Sequence, residues 1–154
     1  MRAEDAWTHV AGLTIGQDIS DRALQFAGQA PQFSMGKSYP GFGPLGPRVV
    51  TLDEIVDPDN LELGCALDGE VMQRARTSGM IFGVPDLIAR LSAVCPLLPG
   101  DLIFTGTPSG VGAFRKPPIF LQPGQELSSW IEGIGEMRNP TIGAPIGAAS
   151  PSTR

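Results

Sequence analysis

Three side chains in this sequence are of types that handle a small anion or a hard cation: Asp18, Lys37 and Thr107. Asp18 follows the strand-like run Leu13-Thr14-Ile15-Gly16-Gln17 and precedes a helix start, where a carboxylate either binds a cation or caps the next turn. Capping is the commoner role at such a position. Lys37, in Gly36-Lys37-Ser38, is either an ordinary surface lysine or a cation placed to stabilise a developing enolate or a substrate carboxylate. Thr107 lies between Gly106 and Pro108, in a loop that continues through Ser109-Gly110-Val111-Gly112. Glycines there let backbone N–H groups approach a ligand, and proline limits the freedom of the threonine. The same composition also suits a plain strand-exit turn.

Other reactive types fit no site. His9, the single histidine, has no recognisable carboxylate partner and reads as a packing or surface residue. Ser109 lacks the Gly-x-Ser-x-Gly elbow of a nucleophile, and the glycine loop lacks the Gly-Lys-Ser/Thr ending of a phosphate-binding loop. Asp53, Glu54, Asp57 and Asp59 fall in a turn-rich connection and read as solvated. Cys65 and Cys95 lack metal-ligand spacing and read as reduced core residues, which points to the cytoplasm.

The elements that must position these residues follow from the pattern. The chain of 154 residues is long enough for one domain with its own core. Twenty glycines and fifteen prolines favour a β-rich fold with irregular connections. A net charge of −5 argues against a nucleic-acid or anionic-membrane partner, and no apolar run approaches the length of a membrane span. Glu4 to Val10 predicts a short helix, and Ser20 and Asp21 are cap types for a helical turn through Gln25 and Phe26. Gly28 to Pro47 predicts a long loop ordered by Phe33, Tyr39 and Phe42, after which Arg48 to Leu52 resumes as strand. Alternation from Leu61 to Leu67, then Asp68-Gly69 and a return through Met72, predicts a two-residue hairpin leading into an Arg74–Met80 connection. Pro85 opens a helix with Leu87, Ile88, Leu91 and Val94 on its apolar face. Asp101 to Thr105 predicts a short buried strand, and Leu127 to Ile131 a strand paired with Gly135 to Asn139. Residues 143–154 have no periodicity and predict a disordered tail.

Six stretches, taken in order, carry a resemblance beyond these patterns. They are Val-Ala-Gly-Leu-Thr-Ile-Gly-Gln-Asp-Ile-Ser-Asp-Arg from Val10 to Arg22, then Gly36-Lys37-Ser38-Tyr39, then Pro44-Leu45-Gly46-Pro47. Thr77-Ser78 with Met80-Ile81-Phe82 comes next, then Gly100 to Gly112, and finally Ile131 to Gly135 with Arg138-Asn139-Pro140. With these the sequence resembles the fumarylacetoacetate hydrolase family over about residues 6 to 142, in its branch of 2-hydroxyhepta-2,4-diene-1,7-dioate isomerase and acylpyruvase-like proteins.

The resemblance implies an α+β, β-rich fold: a mixed β-roll of the family's C-terminal type, over residues 1–142, commonly a homodimer. It implies a divalent cation (Mg²⁺, Mn²⁺ or Ca²⁺) and a small 2-oxo or β-keto acid substrate, cleaved, decarboxylated or isomerised through an enolate. Asp18 matches a metal ligand, Lys37 the cation on the enolisable oxygen, Gln25 a polar site residue, and Thr107 the contact to the substrate's carboxylate end. The family's paired metal-binding glutamates and its water-activating histidine and glutamate belong upstream of the matched stretches, and nine residues precede Val10. Gly79 and Pro40 also stand where acidic residues are usual. The expectation is therefore the C-terminal portion of a longer enzyme, with weak metal affinity and little turnover by itself. The rival expectation is a non-catalytic remnant or partner-dependent subunit; a third is a binding module that takes its ligand at Thr107 without metal.

Overall fold

The computed structural model describes residues 1–143. Its strands form a two-stranded sheet, β1 (Leu13–Gly16) with β2 (Leu45–Val50), and a four-stranded sheet. The larger sheet has the order β4-β3-β5-β6, with β3 Glu62–Leu67, β4 Glu70–Arg76, β5 Glu126–Ile131 and β6 Gly135–Pro140. All of these pairings are antiparallel. Two short α-helices, α1 (Arg22–Gln25) and α2 (Val84–Ser92), complete an α+β, sheet-dominated fold.

Local chemistry explains the parts that match expectation. Asp68 and Gly69 hold positive φ angles of 49° and 86°, the left-handed pair that closes a two-residue hairpin between β3 and β4. Asp21 caps α1, its Oδ1 accepting from the Leu24 N–H at 3.0 Å. β5 pairs with β6 as expected, and the register runs from Ile131 opposite Gly135 to Leu127 opposite Asn139. The core lies where the two sheets meet: Ile15 and Val50 of the small sheet pack with Ile55, Leu61, Ile134 and Met137. Gly64 on β3 sits opposite Trp130 on β5, and the indole occupies the space a side chain would need.

Several expectations are corrected. The run Asp101–Thr105 forms no strand: among the described residues it has no ladder partner, and Leu102 and Phe104 are 58% and 47% exposed. Apolar composition marks such a run as suited to burial but does not supply a neighbouring strand to bond it. β2 begins at Leu45, inside the expected loop, because Pro47 needs no ladder partner on a strand whose sole neighbour is β1. Arg74 to Arg76 belong to β4 rather than to a connection. The N-terminal helix is of the 3₁₀ type, Ala3–His9, and buries Ala6 completely. Cys95 is exposed, whereas Cys65 is buried as expected; both are free. On α2 Ile88 is buried, but Leu91 is 39% exposed, and Val94 lies beyond the helix end at 88%. The tail expectation from residue 144 onward falls outside the described residues.

Candidate functional site

Asp18 and Lys37 are brought together directly. β1 ends at Gly16 and delivers Asp18 to its mouth, while a 3₁₀ turn, Met35–Lys37, delivers the lysine. The ammonium donates to Asp18 Oδ2 in a close ion pair, with about half of the carboxylate side chain and about a quarter of the lysine side chain open to solvent. The 3₁₀ turn is seated on α1: the Asp21 N–H donates to the Gly36 carbonyl at 2.7 Å, and a Cβ on Gly36 would meet the Asp21 carbonyl at 3.0 Å. Glycine is what permits that approach.

Gln25, on α1, is 3% exposed, and its Oε1 accepts from the Arg22 guanidinium at 2.5 Å. Burial of an amide is costly unless it is bonded, so the charge-assisted contact from Arg22 fixes the side chain. Arg22 in turn lies over the Phe114 ring at 5.8 Å. Gln25 and Lys37 are therefore held by one docked pair of elements.

Thr107 stands apart from that pair in hydrogen bonding; no bond among the described residues joins it to Asp18, Gln25 or Lys37. Its loop is nevertheless seated beside them. The Phe104 ring packs against Gly16, where a Cβ would come within 2.7 Å of Cε1, and Phe114 reaches Arg22. On the other side the loop lies on β4. The Gln73 amide donates to Thr107 Oγ1 at 2.9 Å and to the Pro108 carbonyl at 2.6 Å. Arg115 donates to the carbonyls of Gly110 (3.0 Å) and Met72 (2.5 Å).

The residues that the sequence did not single out lie between these two halves. Gln17, the neighbour of Asp18, donates to the buried Ser129 hydroxyl at 2.9 Å and also reaches the Cys65 thiol. The thiol donates to Gln73 Oε1 at 3.3 Å. Burial pushes the Cys65 thiol above its ordinary value, and the opposing pull of the Gln17 side chain, the Gln73 backbone N–H and Arg115 is smaller. A polar chain thus runs from Gln17 through Cys65 and Gln73 to Thr107. No spacing signal announces it, because each member sits at an ordinary strand position.

Two shallow hollows, of about 370 and 340 Å³, lie elsewhere. The first is lined by Glu62, Arg76, Trp130, Ile131 and Glu132. There the Glu62 N–H, and then Arg76, hold the Glu132 carboxyl below its ordinary value. Neither hollow includes Asp18, Gln25, Lys37 or Thr107.

For a divalent cation the donor set is decisive. Among the described residues no three His, Cys, Asp or Glu side chains gather, and the Asp18 carboxylate is engaged by an ammonium. A hard cation needs six or more oxygen ligands, several of them anionic or water. These residues alone do not make that site.

The family model "Fumarylacetoacetate (FAA) hydrolase C-terminal" matches residues 1–142. The chain is 45% identical over 142 residues to the oxaloacetate tautomerase FAHD2A, mitochondrial, of Bos taurus, a match spanning 92% of this chain and 45% of that protein. It is 38% identical to the fumarylacetoacetate hydrolase of Exiguobacterium antarcticum, with a TM-score of 0.88 over 94% of this chain and 51% of the other. It is 32% identical to the maleylpyruvate hydrolase of Sphingobium sp. SYK-6 solved with manganese(II) and pyruvate, with a TM-score of 0.77 over 92% and 48%. The chain spans about half the length of these relatives. Its sequence over residues 1–142 and its fold agree: the chain belongs to the fumarylacetoacetate hydrolase family.

Proposed function

We propose that residues 1–142 are the C-terminal portion of an enzyme that carries small 2-oxo or β-keto acids through an enolate, by hydrolysis, decarboxylation or isomerisation. The observation that carries this reading is the Asp18–Lys37 pair at the mouth of β1, partly open to solvent and flanked by Gln25 and the Thr107 loop. The relatives named as oxaloacetate tautomerase and maleylpyruvate hydrolase support the substrate class.

The roles follow from charge and hydrogen-bond chemistry. Lys37 places an ammonium where negative charge grows on the substrate's carbonyl oxygen as the adjacent C–H or C–C bond gives up its electron pair. Asp18 holds that ammonium in place and keeps the resting site near neutral. Thr107 donates its hydroxyl proton to the far carboxylate, and the Arg22-fixed Gln25 presents its amide to the substrate. A divalent cation belongs to this reading through the manganese-bound relative, with Asp18 as the ligand this chain would contribute. The other ligands are not among the described residues, so no step is assigned to the ion.

The test is turnover of oxaloacetate enol, followed by ultraviolet absorbance with Mn²⁺ present. Low turnover that is lost in Lys37→Met supports the proposal; a rate equal in wild type and Lys37→Met overturns it. Among the described residues no helix is long and apolar enough to cross a membrane. The cytoplasmic compartment is part of this proposal; the bovine relative is mitochondrial by name.

A second reading rests on the run Asp101–Thr105, unpaired among the described residues, which leaves Leu102 and about half of Phe104 exposed. Such a run favours association, as a homodimer or with a partner chain, with or without catalysis. Light scattering that shows a monomer at all concentrations would count against it.

A further inference from the structure

We propose that Gln73 is a positioning residue: from the bulge on β4 it donates to the Thr107 hydroxyl oxygen, which leaves that hydroxyl's proton for solvent or, when a ligand is seated, for an acceptor on it such as a carboxylate. The inference deepens the functional reading above and rests on it for the identity of the ligand.

Hydrogen-bond accounting carries the argument. β3 and β4 fall out of simple register between Cys65 and Ala66: Cys65 faces Gln73, Ala66 faces Val71, and Met72 is the extra residue. A bulge on an edge strand turns backbone and side chains out of the ladder. Here it offers the Met72 carbonyl to Arg115 and the Gln73 amide to the loop. The Pro108 carbonyl is purely an acceptor, so the group 2.6 Å from it is the amide nitrogen. That orientation leaves Gln73 Oε1 facing the Cys65 thiol, which donates to it at 3.3 Å.

The same nitrogen, 2.9 Å from Thr107 Oγ1, makes that oxygen an acceptor. A threonine hydroxyl has one proton, and among the described residues that proton has no acceptor. Thr107 is exposed, so the proton is presented outward. Gly110 completes the clamp. It holds φ +105°, and a Cβ there would collide with the Met72 carbonyl. The loop is thus pressed on the bulge at one end and held by Gln73 at the other.

The test uses the full chain, with oxalate as probe. Backbone ¹⁵N relaxation is measured for wild type, Gln73→Leu and Gln73→Glu; the glutamate keeps length and an acceptor for Cys65 but has no N–H to give. The expected result is that order parameters for Gly106, Thr107, Ser109 and Gly110 fall from about 0.85 to below about 0.6 in both variants. Those of β3 and β5 stay at the wild-type value, which a general loss of structure would not allow. Oxalate affinity falls about tenfold in Gln73→Leu and in Thr107→Val, and no further in the double variant. Unchanged loop order parameters in both variants overturn the clamp, and additive losses overturn action through Thr107. If wild type binds no oxalate, the functional reading falls with the anion role, and the relaxation result alone decides whether Gln73 sets the loop.

Discussion

Replacing Gly110 with alanine should release the Thr107 loop at a definite cost. The residue sits at φ +105°, where a non-glycine residue is strained by about 1–3 kcal/mol. The new Cβ would fall well inside the 3.0 Å floor of real Cβ contacts against the Met72 carbonyl oxygen, and 3.3 Å from Gln73 Cγ. Overpacking of this kind costs about 1–3 kcal/mol more if nothing moves. Opposing it, the loop is held to β4 by the Gln73 bonds to Thr107 and Pro108 and the Arg115 bond to Met72. At about 0.5–1.5 kcal/mol net for each of these three, that hold is worth roughly 1.5–4.5 kcal/mol. Strain and hold are comparable, so the loop lifts, and the loss is limited to about 2–4 kcal/mol because lifting relieves the strain. Urea unfolding followed by tryptophan fluorescence reads this as a lower midpoint with an unchanged slope. In a Gln73→Leu, Arg115→Ala background the same alanine should cost less than about 1 kcal/mol, because the hold is already gone. A midpoint within about 0.5 kcal/mol of wild type, or full additivity in that background, would refute the reasoning.

Two further outcomes follow from packing and burial. Gly64→Ala should destabilise the chain by about 1–3 kcal/mol, since its Cβ would lie 2.5 Å from the Gln73 carbonyl oxygen and 2.9 Å from Trp130 Cε2; thermal unfolding checks it. Burial raises the Cys65 thiol, so below the unfolded value of about 8.5 both states keep the proton and its contribution is constant. Above that pH the unfolded chain loses the proton first, so stability falls until the folded thiol also ionises. Urea midpoints between pH 7 and 10 should therefore drop more steeply in wild type than in Cys65→Ala, and equal slopes would contradict the assignment.

The sequence made the local parts of the fold readable and left the long-range parts hidden. The Asp68-Gly69 hairpin and the β5–β6 pair are set by residues close in the chain, and both stand as expected. The run Asp101–Thr105 has the composition of a buried strand, but a strand requires a partner that composition cannot name. β2 was obscured by Pro44, Gly46 and Pro47, which a free edge tolerates. Among site residues, Asp18, Lys37 and Thr107 stand out by type and neighbours, while their roles, and Gln25 altogether, rest on the family resemblance; the structure joins Asp18 to Lys37 across 19 residues. Gln73, Cys65 and Arg115 carried no signal, because their importance comes from a bulge and a loop crossing that exist only once the chain is folded.

Binding of a 2-oxo acid by the residues around Asp18 and Lys37 is the central claim. Calorimetric titration with pyruvate and oxalate, with and without Mn²⁺, tests it on wild type, Lys37→Met and Asp18→Ala. Heat of binding is expected in wild type and lost in Lys37→Met, with any strengthening by Mn²⁺ lost in Asp18→Ala. No heat in wild type under any condition, or binding that survives Lys37→Met unchanged, would contradict that claim.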